Sequence, residues 1–161
     1  MVDVEAAYRR YFPLIREKCR RMLSDLAEAD DAAQETFVRL WRARLRDSDP
    51  RRLTAWIYRT STRIAIDRLR KRAARMSMDE ALDRLAFIPS GPDEALAVRR
   101  ALELVSRTLP ATEVEIAVLH RLDGLTQAEI ADVAEISART VRRFLERLDK
   151  RVEKLRKENA L

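Results

Sequence analysis

The chain has 161 residues, 47% of them hydrophobic and 37% charged, with 2 Gly and 5 Pro, a composition that excludes collagenous, low-complexity and wholly disordered classes. Aromatics contribute only 6%, so any core must be built from Leu, Ile, Val and Ala, which suits packed helices better than a β-sandwich. The net charge of +6 is uneven: +8 over residues 1–75, −4 over 76–97 and +2 over 98–161. A basic first part points to a polyanion, most often nucleic acid, because neutralising phosphates releases condensed counterions.

Chemistry of other kinds is poorly provided for. The single cysteine, Cys19, can form no internal disulfide and suits a reducing cytoplasm. One His and one Cys exclude the common zinc sites, and two isolated glycines exclude a glycine-rich phosphate loop. No catalytic residue, metal or cofactor is expected, so an enzyme is not. The acidic start, Met1-Val2-Asp3-Val4-Glu5, is unlike a signal peptide, and no apolar run approaches membrane-spanning length. These features predict a cytoplasmic protein without membrane insertion.

Apolar residues recur at helical spacing throughout, predicting an all-α protein with helices near 4–23, 30–45, 52–73, 93–107, 111–122, 126–133 and 138–157. In the second of these, Ala33, Phe37, Leu40 and Trp41 read as the apolar stripe. Asp30, Asp31, Gln34 and Glu35 lie near its predicted start, where acid complements the helix dipole and also offers a patch to a basic protein partner. Asp47-Ser48-Asp49-Pro50 supplies a turn and a helix start. The third helix carries Leu53, Trp56, Ile57, Thr60 and Ile64 on one face. Arg52, Arg59, Arg63 and Arg70 line a flank about 40° wide on a wheel of 100° per residue, and such a stripe can follow a phosphate backbone. Tyr58 reads as more accessible than Trp56 for stacking on a base, and Asp67 is placed to pair with Arg63 four residues before it.

Ile88-Pro89-Ser90-Gly91-Pro92 cannot continue a helix. With the switch to acidic charge it marks residues 76–97 as a flexible linker between two small helical domains, 1–75 and 98–161. In the second domain, Thr126 to Leu145 has helix-turn-helix spacing: Ala131 sits at the helix crossing, Ile130, Ala134, Ile136, Val141 and Phe144 fall at core positions, and Ser137 caps the second helix. Val141, Phe144, Leu145, Leu148, Val152 and Leu155 share a face, with Arg139, Arg143, Lys150 and Lys154 opposite. Glu135 stands where such turns usually place Gly for a left-handed backbone.

Four segments together resemble the extracytoplasmic-function sigma factors of RNA polymerase: Ala29-Asp30-Asp31-Ala32-Ala33-Gln34-Glu35-Thr36-Phe37; Trp56-Ile57-Tyr58-Arg59 followed by Ala65-Ile66-Asp67-Arg68-Leu69-Arg70; Leu109-Pro110; and Gly124-Leu125-Thr126-Gln127-Ala128-Glu129-Ile130-Ala131 with Thr140-Val141. The resemblance covers nearly the whole chain and implies a region-two bundle, a linker and a region-four helix-turn-helix domain. It implies core-polymerase contacts at Asp31, Gln34, Glu35 and Leu40 against the β′ clamp helices, with the β flap as a further polymerase contact. Minus-ten contacts are implied at Arg52, Tyr58, Arg59, Arg63, Arg68, Arg70 and Lys71. Minus-thirty-five contacts are implied at Thr126, Gln127, Ser137, Arg139, Thr140, Arg142, Arg143 and Arg147. Partners would be RNA polymerase core, promoter DNA and an anti-sigma factor. Arg63, Val114, Glu135 and Phe144 depart from the family pattern. A free-standing helix-turn-helix regulator and a sigma-derived sequestering protein are the alternative functions.

Overall fold

The computed structural model describes residues 1–46, 49–77, 79–80 and 94–159. Among them are seven helices and no strand: α1 (Val4–Met22), α2 (Leu26–Ala43), α3 (Pro50–Ala74), α4 (Glu94–Thr108), α5 (Ala111–Arg121), α6 (Gln127–Ala134) and α7 (Ala138–Asn159). The all-α expectation holds, element for element. Ile88 to Pro92, on which the linker expectation rested, lie outside the described residues, as do Asp47 and Ser48.

Local chemistry explains most of the helix ends. Asp3 caps α1, its carboxylate accepting from the Ala6 amide at 3.0 Å, and Asp49 caps α3 by accepting from Arg51, with Pro50 at the first helical position. Thr126 and Glu129 form a reciprocal capping box at α6. The largest boundary difference is at α2. Its cap is Asp25, which accepts from Ala27 and Glu28, so the helix starts four residues before the predicted position. Asp30 and Asp31 therefore stand in its second turn, and the dipole explanation for their acidity does not apply.

One end of α2 is strained. Arg44, after its last turn, adopts φ 47° and ψ 46°, a left-handed conformation that costs a non-glycine residue about 1 kcal/mol. Arg44→Gly is expected to raise stability by roughly 0.5–1 kcal/mol, read as a higher urea midpoint at unchanged slope.

Two apolar clusters organise the packing. The larger is built from α1, α2 and α3 around Ile15, Met22, Phe37, Leu40, Ile57, Ile64 and Leu69. It continues without a break into Leu102 and Leu109 of the α4 segment, Val114, Ala117 and Val118 of α5, and Leu148 of α7. The smaller cluster, Ile116, Leu119, Ile130, Val141 and Leu145, joins α5 to the two helices of the helix-turn-helix unit. The two halves of the chain are thus packed against each other, α4, α5 and α6 lying on α3. Cys19 is fully buried in the larger cluster, and that burial pushes its thiol up to about 11, which leaves it inert at neutral pH.

Candidate polymerase and promoter interfaces

The exposed side of α2 combines polar and apolar groups. Asp31 and Gln34 are exposed, and so are Val38 and Trp41, the latter at 67%. These four span about 80° of the helix surface at 100° per residue, so they form a single stripe. Trp41 was expected in the core and points out of it; the core positions are filled by Ala33, Phe37 and Leu40. Leu40, expected among the polymerase contacts, is 1% exposed and supports the stripe from beneath without offering surface to a partner.

Glu35 stands at the edge of this stripe. Arg39 donates to its Oε1 and Arg68 to its Oε2 at 3.0 Å. Burial pushes its carboxyl up, but the two arginines outweigh burial and hold it below its ordinary value. Arg68 also donates to the Glu28 carbonyl at 2.7 Å. It therefore braces α3 against α2 and stands apart from the other arginines with which it was grouped.

Asp30 is gripped by two guanidinium groups, Arg16 and Arg20, each donating through two nitrogens at 2.9–3.1 Å. Those bonds, Arg16 first, hold its carboxyl well below the usual carboxylate range. A depressed folded pKa gives stability that is complete above the unfolded value, about 3.9, and is lost as pH falls below it. Asp30→Asn is therefore expected to lower the urea midpoint at pH 7, with the gap to the parent narrowing at pH 3. An equal gap at both values would mean that charge is not the cause.

The basic flank of α3 is largely engaged. Arg59 donates to Glu135 at 2.8 Å and lies 3.5 Å from Glu115, while Arg63 reaches the same Glu115 at 3.2 Å instead of Asp67. Arg70 donates to the Leu109 carbonyl at 3.1 Å. Arg52 and Lys71 have exposed side chains. Tyr58 is half-buried, with the Lys18 ammonium 5.0 Å from its ring centroid. Trp56 is partly buried against the larger core.

Beneath this flank lies a charge pair that the sequence reading missed. Lys18 Nζ lies 2.6 Å from Asp123, 2.5 Å from the Thr62 hydroxyl and 3.3 Å from the Tyr58 carbonyl, with Lys18 and Asp123 side chains 5% and 6% exposed. Burial pulls the ammonium below its ordinary value and pushes the carboxyl above its own. A signal was available. Tyr11, Ile15, Lys18 and Met22 follow helical spacing, and a lone cation on an apolar stripe needs a buried partner. Glu115, inside the apolar run Val114 to Leu119 and 4% exposed, carried the same signal.

The helix-turn-helix unit presents its charged side to solvent. Ser137 Oγ accepts from the Thr140 amide at 3.1 Å, capping α7 as expected. Arg139, Arg142 and Arg143 are exposed and, with Thr140 and Glu146, line a shallow concavity of about 360 Å³. Thr126 and Gln127 stand at the start of α6, the Thr126 hydroxyl committed to its cap. Arg147 pairs with Glu113 at 3.1 Å and stacks its guanidinium over Phe144, 5.0 Å from the ring centroid, which fastens it to the scaffold. Glu135 adopts φ 55° and ψ 43°, so the turn keeps the left-handed geometry that such turns usually give to Gly, at the strain a side chain adds there. Among the described residues no His, Cys, Asp and Glu cluster could hold a metal ion, and no helix is long and apolar enough to cross a membrane.

Comparison with known proteins agrees with these features. Residues 7–75 match the family model for Sigma-70 region 2, and residues 99–151 match that for Sigma-70, region 4. The chain is 29% identical over 150 residues to the ECF RNA polymerase sigma factor SigW of Bacillus subtilis, covering 85% of this chain and 80% of that protein. It is 28% identical over 150 residues to the ferric citrate uptake sigma factor FecI of Escherichia coli, covering 88% and 83%. Against the RNA polymerase sigma factor CnrH of Cupriavidus metallidurans it is 32% identical over 126 residues, covering 71% and 65%. With both regions matched in order and both represented by separate helical elements, the chain belongs to the sigma-70 family, as a sigma factor of the extracytoplasmic-function type.

Proposed function

We propose that the chain directs RNA polymerase core to specific promoters by dividing three tasks among its helices. The exposed stripe of α2, Asp31, Gln34, Val38 and Trp41, docks on the polymerase. The flank of α3, with Arg52, Tyr58, Arg59, Arg63, Arg70 and Lys71, engages the minus-ten element and its melted strand. The exposed start of α7 reads the minus-thirty-five element. Residues 76–97 connect the two DNA-binding parts, 1–75 and 98–161, through the polymerase, and an anti-sigma factor is the expected inhibitor. The observation that carries this reading is the capped start of α7, where Arg139, Arg142 and Arg143 face solvent beside the helix N-terminus, the geometry that places side chains and helix dipole against a DNA groove.

Run-off transcription with purified core polymerase and a promoter library tests the proposal. Selective transcripts are expected. Core binding without transcripts would favour a sequestering protein, and DNA binding without core binding would favour a free-standing regulator. Arg139→Ala and Arg143→Ala are each expected to weaken upstream-element binding by roughly 1–3 kcal/mol where the side chain reads a base. A smaller loss, equal on all sequences, would identify a phosphate contact. Arg147→Ala, already tied to Glu113 and Phe144, is expected to change DNA affinity less than either.

A further inference from the structure

Two of the α3 arginines do not belong to its basic flank. At 100° per residue, Arg68 and Arg72 lie about 140° or more around the helix from Arg52, Arg59, Arg63 and Arg70. We infer that Arg68 is a positioning residue for promoter opening: it fixes α3 against α2, so that the strand-binding helix and the polymerase-docking helix act as one rigid part. The inference rests on α2 being the docking helix and α3 the strand-binding helix. The Arg68 guanidinium divides its donors, one nitrogen to the Glu28 carbonyl at 2.7 Å and the other to Glu35 Oε2 at 3.0 Å, positions two turns apart on α2. Arg72 donates to the Ser24 hydroxyl just before the same helix. With 22% of its side chain exposed and these donors engaged, Arg68 has little to offer a DNA strand. It acts on where α3 stands.

The load of opening passes through this joint. Polymerase holds the exposed stripe of α2 while α3 holds the separated strand, so any give between the two helices lets the strand pair again. Apolar burial draws α2 and α3 together, but it is non-directional and leaves their relative slide and rotation loosely set. A planar guanidinium with fixed donor directions, bonded at two points of the facing helix, removes that freedom. Its carboxylate partner is itself held, because Arg39 donates to the other oxygen of Glu35. Toward its other neighbour, α2 is tied to α1 through Asp30, which accepts from Arg16 and Arg20. The docking helix is thus fixed on both sides before a partner arrives. Misplacement of a working group by about 1 Å can cost on the order of a hundredfold in rate, so a bond that matters little to folding can matter greatly to opening.

The test uses the full chain bound to core polymerase, with a fluorescent base analogue in the minus-ten element to report strand separation. Arg68→Met keeps an unbranched apolar stem and removes the donors, whereas Arg68→Lys keeps the charge and loses the fork. Arg68→Met should slow opening of a duplex promoter about tenfold or more, and Arg68→Lys by less. Affinity for core, and transcription from a template already unpaired across the minus-ten element, should both stay within about twofold of the parent, because neither requires α3 to open the duplex. Parental opening by folded Arg68→Met would overturn the inference. So would equal losses on duplex and unpaired templates, which would mark a direct strand contact or general damage to the fold. If Arg68→Met fails to fold, Arg68→Lys carries the same comparison with a smaller expected loss. Two controls separate this inference from the readings beneath it. Arg59→Ala with Arg63→Ala should impair use of both templates, and Asp31→Arg with Trp41→Ala should weaken core binding; if either pair behaves as the parent, the role given to α3 or to α2 fails, and the inference falls with it.

Discussion

Asp31→Arg combined with Trp41→Ala is expected to weaken binding to core RNA polymerase by a hundredfold or more while leaving the fold intact. Both side chains are exposed, Trp41 at 67%, so neither contributes to the core and stability should change by no more than about 0.5 kcal/mol. Solvent-facing tryptophan is costly for a protein to display without a use, and truncating an interface tryptophan typically costs about 2 kcal/mol or more. Reversal of a charge at the rim adds repulsion and acts mainly on the association rate. Titration of labelled chain with core enzyme measures the first effect, and stopped-flow association at two salt concentrations separates the second. Unchanged affinity in the double variant would move the docking surface off α2. Glu35 is a poor site for the same experiment, because it also holds Arg39 and Arg68, and its loss would disturb the α2–α3 contact.

Ile130→Ala should destabilise the helix-turn-helix unit by about 3 kcal/mol and abolish upstream-element binding. Ile130 is fully buried, with Ile116, Leu119, Val141 and Leu145 as the other buried members of its cluster among the described residues and Leu125, Ala131, Val133, Ile136 and Phe144 packed around them. Truncations of buried Leu and Ile to Ala cost about 2–5 kcal/mol, and a small cluster has little redundancy to absorb that loss. Urea unfolding gives the stability change. Core-polymerase binding through α2 should be retained, because the larger cluster around Ile57 and Leu69 contains none of these residues. Parallel loss of core binding would show instead that the two clusters unfold as one unit.

The sequence was most informative where the cause of structure is local. Caps at Asp3, Asp49, Thr126 and Ser137, the Pro50 start of α3 and the apolar periodicity of α1 and α7 each act within a few residues, so the helices could be read in advance. Where local signals tied, the reading slipped. Acidic residues at both Asp25 and Asp30 suit the first turn of a helix, so the sequence places the start of α2 near residue 30, and only the packed structure shows Asp25 as the cap and Asp30 committed to Arg16 and Arg20. Trp41 fits the edge of an apolar stripe by spacing, yet Phe37 and Leu40 already fill the space beneath, which leaves it outside.

By itself, then, the amino-acid sequence determined the helices, their order, the helix-turn-helix unit and the stock of basic groups. Tertiary structure alone decided which of those groups are free. The α3 arginines form one stripe on a helical wheel, but their carboxylate partners arrive from α5 and from the turn after α6. Lys18 and Asp123 meet across 105 positions of chain. Periodicity assigns a side chain to a face of its own helix and carries no information on what docks there. That is settled by how whole apolar faces fit together, with Val114, Ala117 and Val118 entering the first core and carrying Glu115 and Asp123 to their partners.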